Sequence, residues 1–517
     1  MMEATGAPQM EQDFKTIKLP EGCEDATAIP GFNKETDPPL QRFDFTDLGN
    51  ARRFEWRYEG KFIYTKATKW LVYENGRWRI DKTKQAEQAM LRTLNLIVQE
   101  ADLVEGDDEA AKEAKLAIYA WAKACESLAL FNNAMKFSET LSSFVRDYAI
   151  FDNRPDLFLC ANGTLNLETG KFGPFDPRHL LTKGSNVKYD PSAKAPQWEK
   201  FLIEVMGGKE HMVRYLARAS GYTLTADTGG QCLFVPHGTG GTGKSTFLNV
   251  MQGIMGDYCQ SADPEMFMAK RGDSGQPFEM AGLEGVRALF AVETEDNKEL
   301  ACAKVKRMTG QDPVRACHKF CDHYEFVPTY KIWLATNDKP KMNATDDAMW
   351  DRPKLVPFDV RFRGEVSEVK NLAQKLLAEE ASGILNWMVR GHAEWKAGGL
   401  QHPDEVVYAV KEWRGDEDYL GRFLAERTLK TANPPEYVSK SDLFAAFNRW
   451  TETAKEGEGL SDKRFTDMMR RKGFTDKIVR QSGKATRVWL ELKAASSYSS
   501  ASLGGHEQVP CDPEILH

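Results

Sequence analysis

The sequence predicts an α/β protein built on a mostly parallel sheet, and three observations carry that prediction. In Cys232 to Leu248, CLFVPHGTGGTGKSTFL, a short apolar run from Leu233 to Val235 leads through clustered glycines into a helix that opens at Lys244. Two further runs, Ala288 to Val292 and KIWLATN from Lys331 to Asn337, are nearly continuous in apolar residues and end in polar ones, as strands covered on both faces do. The segment before the glycines, Trp198 to Leu224, has helical spacing, with Phe201, Leu202, Val205, Met206, Val213, Leu216 and Ala217 on one face.

Taken in order, residues 1 to about 50 are rich in Pro, Gly and acidic residues without periodicity, and are expected to form an extended arm. From Phe54 the texture changes. FIYTKATKWLVYENGRWRI contains two β-rich runs joined at Asn75-Gly76, a strong hairpin signal, and residues 84 to 149 then show helical spacing. The Trp and Tyr residues here read as core rather than as platforms for bases. Phe158 to Tyr189 holds short strands between Asn-Gly, Thr-Gly and Pro turns, and the prolines at 191 and 196 mark a boundary.

The 517 residues are too many for one core and suggest three or four units. No apolar run reaches membrane-spanning length, and the N-terminus lacks a signal peptide's apolar centre, so a cytoplasmic protein is expected. Nine scattered cysteines fit reduced thiols. A net charge of -7 confines any nucleic-acid binding to local patches.

The chemistry concentrates on the glycine stretch. Gly238, Thr239, Gly240, Gly241, Thr242, Gly243, Lys244, Ser245 and Thr246 form the pattern G-x-x-x-x-G-K-S, a loop whose backbone N–H groups cradle phosphates at a helix N-terminus. Lys244 would bridge the outer phosphates and the Ser245 hydroxyl would ligate magnesium. Glu293 and Glu295 follow a strand end; Glu293 is favoured for the metal, and either can activate water. Asn337 ends the next strand, where it can contact a γ-phosphate or the lytic water, or simply cap the strand. Arg352, in DDAMWDRPKLVPF, is a candidate arginine finger for a neighbouring subunit, or else a salt-bridge partner of Asp347 or Asp351.

Together GTGGTGKST, ALFAVETE, TGQDPVRACHKFCDHYEFVPTYKIWLATN and DDAMWDRPKLVPF, with FLCANGTLNLETGKF and VKYDPSAKAPQWEKFL upstream, resemble the superfamily-three AAA+ helicases, specifically the phage and plasmid primase-helicases related to poxvirus helicase-primases. The resemblance covers roughly residues 55 to 490. It implies a homohexameric ring that hydrolyses ATP with magnesium between subunits and threads single-stranded DNA through its pore, 3′ to 5′, in the cytoplasm of a bacterial host. It also implies a pore hairpin over Asp312 to Phe326, with Arg315, His318 and Lys319 available for phosphates. Cys321 stands where relatives often place a lysine, and Asp351 where they commonly have a second arginine. Cys317, His318, Cys321 and His323 match no standard zinc spacing.

Toward the C-terminus, Ser439 to Thr453 and a helix capped by Ser461 precede KIVRQSGKATRVWLEL, which reads as a hairpin. Nine Lys and Arg between 463 and 487, among them Lys463, Arg464, Arg470, Arg471 and Lys484, face only Asp467 and Asp476, so a winged helix-turn-helix that binds DNA is expected. The expected organisation is an arm (1–50), an α+β domain (51–195), a helical collar (196–230), an AAA+ core (231–400), a winged helix (401–493) and a disordered tail (494–517). About fifty residues precede the first hairpin, too few for a primase-polymerase palm, so a separate primase or polymerase is the expected partner on forked DNA. The alternative function is an ATP-switched replication initiator or loader that unwinds little.

Overall fold

The computed structural model describes residues 41–269, 280–292, 298–317, 323–342, 347–364, 369–430, 437–454, 461–481 and 484–494. The chain divides into two units, Met1–Phe151 and Asp152–His517.

The first unit opens with a helix that straddles the boundary at residue 50 between the expected arm and the expected α+β domain. Helix α1 (Asp47–Tyr58) begins where Thr46 Oγ1 accepts the Gly49 N–H at 2.9 Å. It is anchored by a buried ion pair in which Arg53 Nε donates to Glu100 at 2.6 Å, while the same guanidinium donates to the Phe43 and Asp44 carbonyls. Strands β1 (Phe62–Thr65), β2 (Lys69–Glu74) and β3 (Arg77–Ile80) form an antiparallel sheet. The β2–β3 turn is Asn75-Gly76 with φ of 48° and 82°, the positive pair that a tight hairpin needs. Helices α2 (Gln85–Asn95), α3 (Glu109–Ala124) and α4 (Leu128–Ser138) complete the unit. Trp70 and Trp78 are buried, as expected of core aromatics, whereas Trp56 stays 43% exposed.

The second unit begins with the antiparallel strands β4 (Leu157–Cys160), β5 (Gly163–Asn166) and β6 (Phe172–Gly173), then helices α5 (Pro196–Val205) and α6 (Glu210–Thr223). Strand β7 (Leu233–His237), helix α7 (Lys244–Met255), strands β8 (Cys259–Ser261) and β9 (Ala288–Val292), and helix α8 (Cys302–Thr309) follow. Next come the hairpin arms β10 (Val314–Cys317) and β11 (His323–Phe326), then β12 (Lys331–Ala335) and β13 (Pro353–Pro357). Five of these strands make one parallel sheet in the order β13-β7-β12-β9-β8.

Alternation within each strand explains why the runs read as continuously apolar. Phe234, Phe290 and Trp333 pack on one face with α5, α6 and α7, while Leu233, Leu289 and Ile332 pack on the other with α8. The first face is also covered by α9 (Leu372–Gly398), a 27-residue helix laid along α6 and α7. Helix α10 (Asp404–Asp416) lies on β13 and seats Trp413 in the second core.

The remainder has its own small core around Phe423, Phe447, Phe465 and Trp489. It comprises α11 (Tyr419–Arg427), β14 (Thr428–Lys430), β15 (Tyr437–Ser439), α12 (Lys440–Ala454), α13 (Asp462–Arg471), β16 (Asp476–Gln481), β17 (Lys484–Leu490) and β18 (Leu492–Ala494). Ser461 caps α13, its Oγ accepting from Arg464 N at 3.3 Å, and Gly473 follows its C-terminal end with φ +87°. Ser439, the last residue of β15, immediately precedes α12. Among the described residues no helix is long and apolar enough to cross a membrane.

Candidate nucleotide site

Residues 238–243 connect the C-terminal end of β7 to the N-terminus of α7, the end of a parallel sheet where ligands lodge. Two glycines are required by the space as well as by backbone angle. A Cβ at Gly238 would sit 2.1 Å from the Phe358 carbonyl oxygen, and one at Gly241, whose φ is +86°, would sit 2.4 Å from Arg363 Cβ. Gly240 has open space around it and no positive φ, so nothing in the local packing requires glycine there.

Lys244 turns back into the loop. Its Nζ donates to the Gly238 carbonyl, to Thr239 O at 2.9 Å, to Thr242 Oγ1 at 3.4 Å and to Asn337 Oδ1 at 3.1 Å. Burial lowers its pKa. His237, at the end of β7, is likewise kept from charging, first by burial and then by the nearby Lys339 and Lys244. Ser245 is exposed in the first turn of α7, and Thr246 is half-buried beside it. This curled, positively charged loop suits a polyphosphate chain.

Asn337 follows β12 and is exposed, so the lysine of one strand end and the asparagine of its neighbour meet at one point. The loop beyond Asn337 is pinned to α10. Lys339 Nζ pairs with Glu412 at 3.1 Å and Asp416 at 3.0 Å, and Trp413 Nε1 donates to Pro340 O at 3.1 Å. Strand β9 ends at Val292, and Glu293 and Glu295 lie outside the described residues.

Arg352 does not form the expected salt bridge to Asp347 or Asp351 among the described residues. It precedes β13 at the N-terminal end of the sheet, away from the glycine loop, 8% exposed, with Nε donating to Thr309 Oγ1 at 3.0 Å and Nη2 to Gln231 Oε1 at 2.8 Å. Its Nη1 donates to the Ala348 carbonyl. Asp347, the expected salt-bridge partner, pairs instead with Arg414 at 2.6 Å. A guanidinium already holding three oxygens of its own chain must release them before it can reach a neighbour.

The hairpin arms β10 and β11 pair antiparallel, with Arg315 exposed opposite Glu325; His318 and Lys319 lie outside the described residues. On α13, Lys463, Arg464, Arg470 and Arg471 are exposed. Arg470 and Arg487 share Asp476, at 2.9 and 3.6 Å, which ties the helix to the β16–β17 hairpin that Lys484 opens on its second strand. A cavity of about 800 Å³ lined by Asp156, Thr225, Asp227, His392 and Trp395 is remote from the glycine loop, near the N-terminal end of β12.

The segment after β13 was not singled out from the sequence. Phe362 N and Arg363 N both donate to Gly241 O, at 2.9 and 3.3 Å, so the stretch FDVRFRG runs against the glycine loop. Its alternation of apolar and charged residues immediately after a strand is the signal that could have flagged it.

Residues 51–207 match the family described as D5 N terminal like, and residues 237–352 match a family of unknown function, DUF5906. A protein of Acanthamoeba polyphaga mimivirus named as a helicase is 24% identical over 317 residues, 57% of this chain and 33% of that protein. One of Invertebrate iridescent virus 3, also named as a helicase, is 23% identical over 393 residues, 69% of this chain and 42% of that protein. The chain thus matches between a third and about two fifths of the length of these relatives. Among solved structures, the apo C-terminal region of NrS-1 aligns over 87% of this chain and all of that one, at 10% identity and a TM-score of 0.46.

Proposed function

From a chain that joins a D5 N-terminal-like region to a parallel sheet bearing a glycine-lysine-serine loop, we propose an ATP-driven DNA helicase of a phage, plasmid or related mobile element, working on single-stranded and forked DNA as a homohexameric superfamily-three AAA+ ring. The observation that carries this reading is the 3.1 Å contact between Lys244 Nζ and Asn337 Oδ1. It joins the loop lysine to the residue that this reading makes the γ-phosphate sensor. The likeness to viral proteins named as helicases supports the same activity.

In this reading the loop amides and Lys244 hold the phosphates, and Asn337 reports whether the outermost phosphate is attached. Ser245, with Glu293, would hold magnesium, which supplies positive charge against the phosphate oxygens. Glu293 or Glu295 activates the attacking water. Arg315, His318 and Lys319 grip the strand in the pore, and α11 to β18 act as a winged helix that lays α13 and the β16–β17 hairpin on DNA. Polarity, 3′ to 5′, and a separate primase or polymerase partner follow from the family resemblance.

Strand displacement on a forked duplex tests the proposal. The protein should release the strand only with hydrolysable ATP, and Lys244→Ala should lower turnover by about 100-fold or more. Asn337→Ala should keep ATP affinity and lose turnover. If ATP is hydrolysed slowly and no strand is released, the assembly-switch alternative replaces the motor.

A further inference from the structure

We infer that Arg363 is a phosphate-binding side chain of the nucleotide site, supplied in cis by the segment after β13. This rests on the reading that the 238–246 loop binds a nucleoside triphosphate.

Four observations point the same way. The backbone is fixed on the loop by two hydrogen bonds, from Phe362 N and Arg363 N to Gly241 O. The root of the side chain touches the loop, since a Cβ on Gly241 would lie 2.4 Å from Arg363 Cβ. Phe362 packs against the core, and Arg361 and Arg363 on either side of it are exposed. Among the described residues no ion pair or hydrogen bond engages either guanidinium, whereas Lys339 nearby is held by two carboxylates.

An exposed cation rooted on the same loop as Lys244 adds to the positive potential that an arriving anion meets. A planar guanidinium suits phosphate because it can donate two parallel N–H bonds. Arg363 is favoured over Arg361 because its own Cβ abuts the glycine. Gly241 then has a double role: it leaves room for the loop to curl, and it lets an arginine root itself against the cradle.

Titration of the full chain with ATP, ADP and adenosine, alongside thermal melting, decides the matter. Removing one charge-assisted contact should weaken ATP and ADP binding by about tenfold or more in Arg363→Ala, with adenosine unaffected. Arg363→Lys should recover part of the loss, and Arg361→Ala should stay within about twofold. The melting temperature without nucleotide should match the parent, because the backbone N–H to Gly241 is kept in every variant, while the ATP-induced rise should shrink in Arg363→Ala. ATP affinity within twofold of the parent in Arg363→Ala overturns the inference while leaving the site reading standing. A parent protein that binds no ATP, or binds it equally well as Lys244→Ala, sinks both.

Discussion

His402 shows how partial desolvation sets the behaviour of a side chain whose outer face is exposed. Its Nδ1 faces the hydroxyl of the fully buried Tyr215 at 3.3 Å, and burial, helped by Lys354 and Arg218, pulls its pKa down from 6.5 to about 4. Between those values the unfolded chain binds a proton that the native ring refuses. The stabilisation is therefore complete above pH 6.5 and is lost as the pH falls toward 4. Denaturant titrations across that window should show stability falling with pH, and His402→Phe should flatten the slope; an unchanged slope would remove His402 from the account. Arg352 makes the complementary point, since its guanidinium is satisfied entirely by neutral oxygens of its own chain. Arg352→Ala would remove the donor to Thr309 Oγ1, Gln231 Oε1 and the Ala348 carbonyl, and is expected to cost about 2 kcal/mol in unfolding free energy. A variant as stable as the parent but devoid of ATP turnover would favour the finger reading.

Among the elements, those whose physics is local were legible. Leu233 to Val235 was expected as a strand and is the start of β7; Ala288 to Val292 coincides with β9; Asn75-Gly76 makes the turn its residues demand. Helix α1 was missed because its anchor, Glu100, lies 47 positions from Arg53, and no window of sequence shows that. The three partners of Arg352 likewise come from separate segments. The same blindness hid Arg287 and Lys331, which read as ordinary charges before two strands. Both are buried: Arg287 donates to the Leu224 and Leu157 carbonyls at 2.7 Å over the Tyr258 ring, and Lys331 donates to Thr225 and Asp227 carbonyls over the Tyr222 ring. They tie the C-terminal end of α6 to the start of β9 and β12, satisfying carbonyls that a helix end leaves open. Arg287→Ala should lower unfolding free energy by about 3 kcal/mol or more, read by chemical denaturation. A loss under about 0.5 kcal/mol, the range of exposed sites, would mean that the cation does not hold these elements together.

At the scale of the whole second unit, the loop after β12 and the basic C-terminal region are joined by one helix. Lys339, two residues past Asn337, is clamped by Glu412 and Asp416 of α10, and Met342 N donates to Glu417 at 3.2 Å. One residue further on, Asp418 caps α11 through Gly421 N and pairs with Lys472 at the end of α13 at 2.5 Å. On the proposed function, a shift of Asn337 as the outer phosphate departs would therefore have a continuous route to the surface proposed to hold DNA. The coupling is read by the ratio of forked-DNA affinities with a non-hydrolysable ATP analogue and with ADP. The parent should show a ratio of about fivefold or more, the usual scale of coupled sites. Lys339→Ala should bring that ratio toward one while leaving ATP affinity unchanged, because Lys339 donates to carboxylates of α10 and not into the glycine loop. A ratio equal to the parent's would show that α10 does not carry the signal.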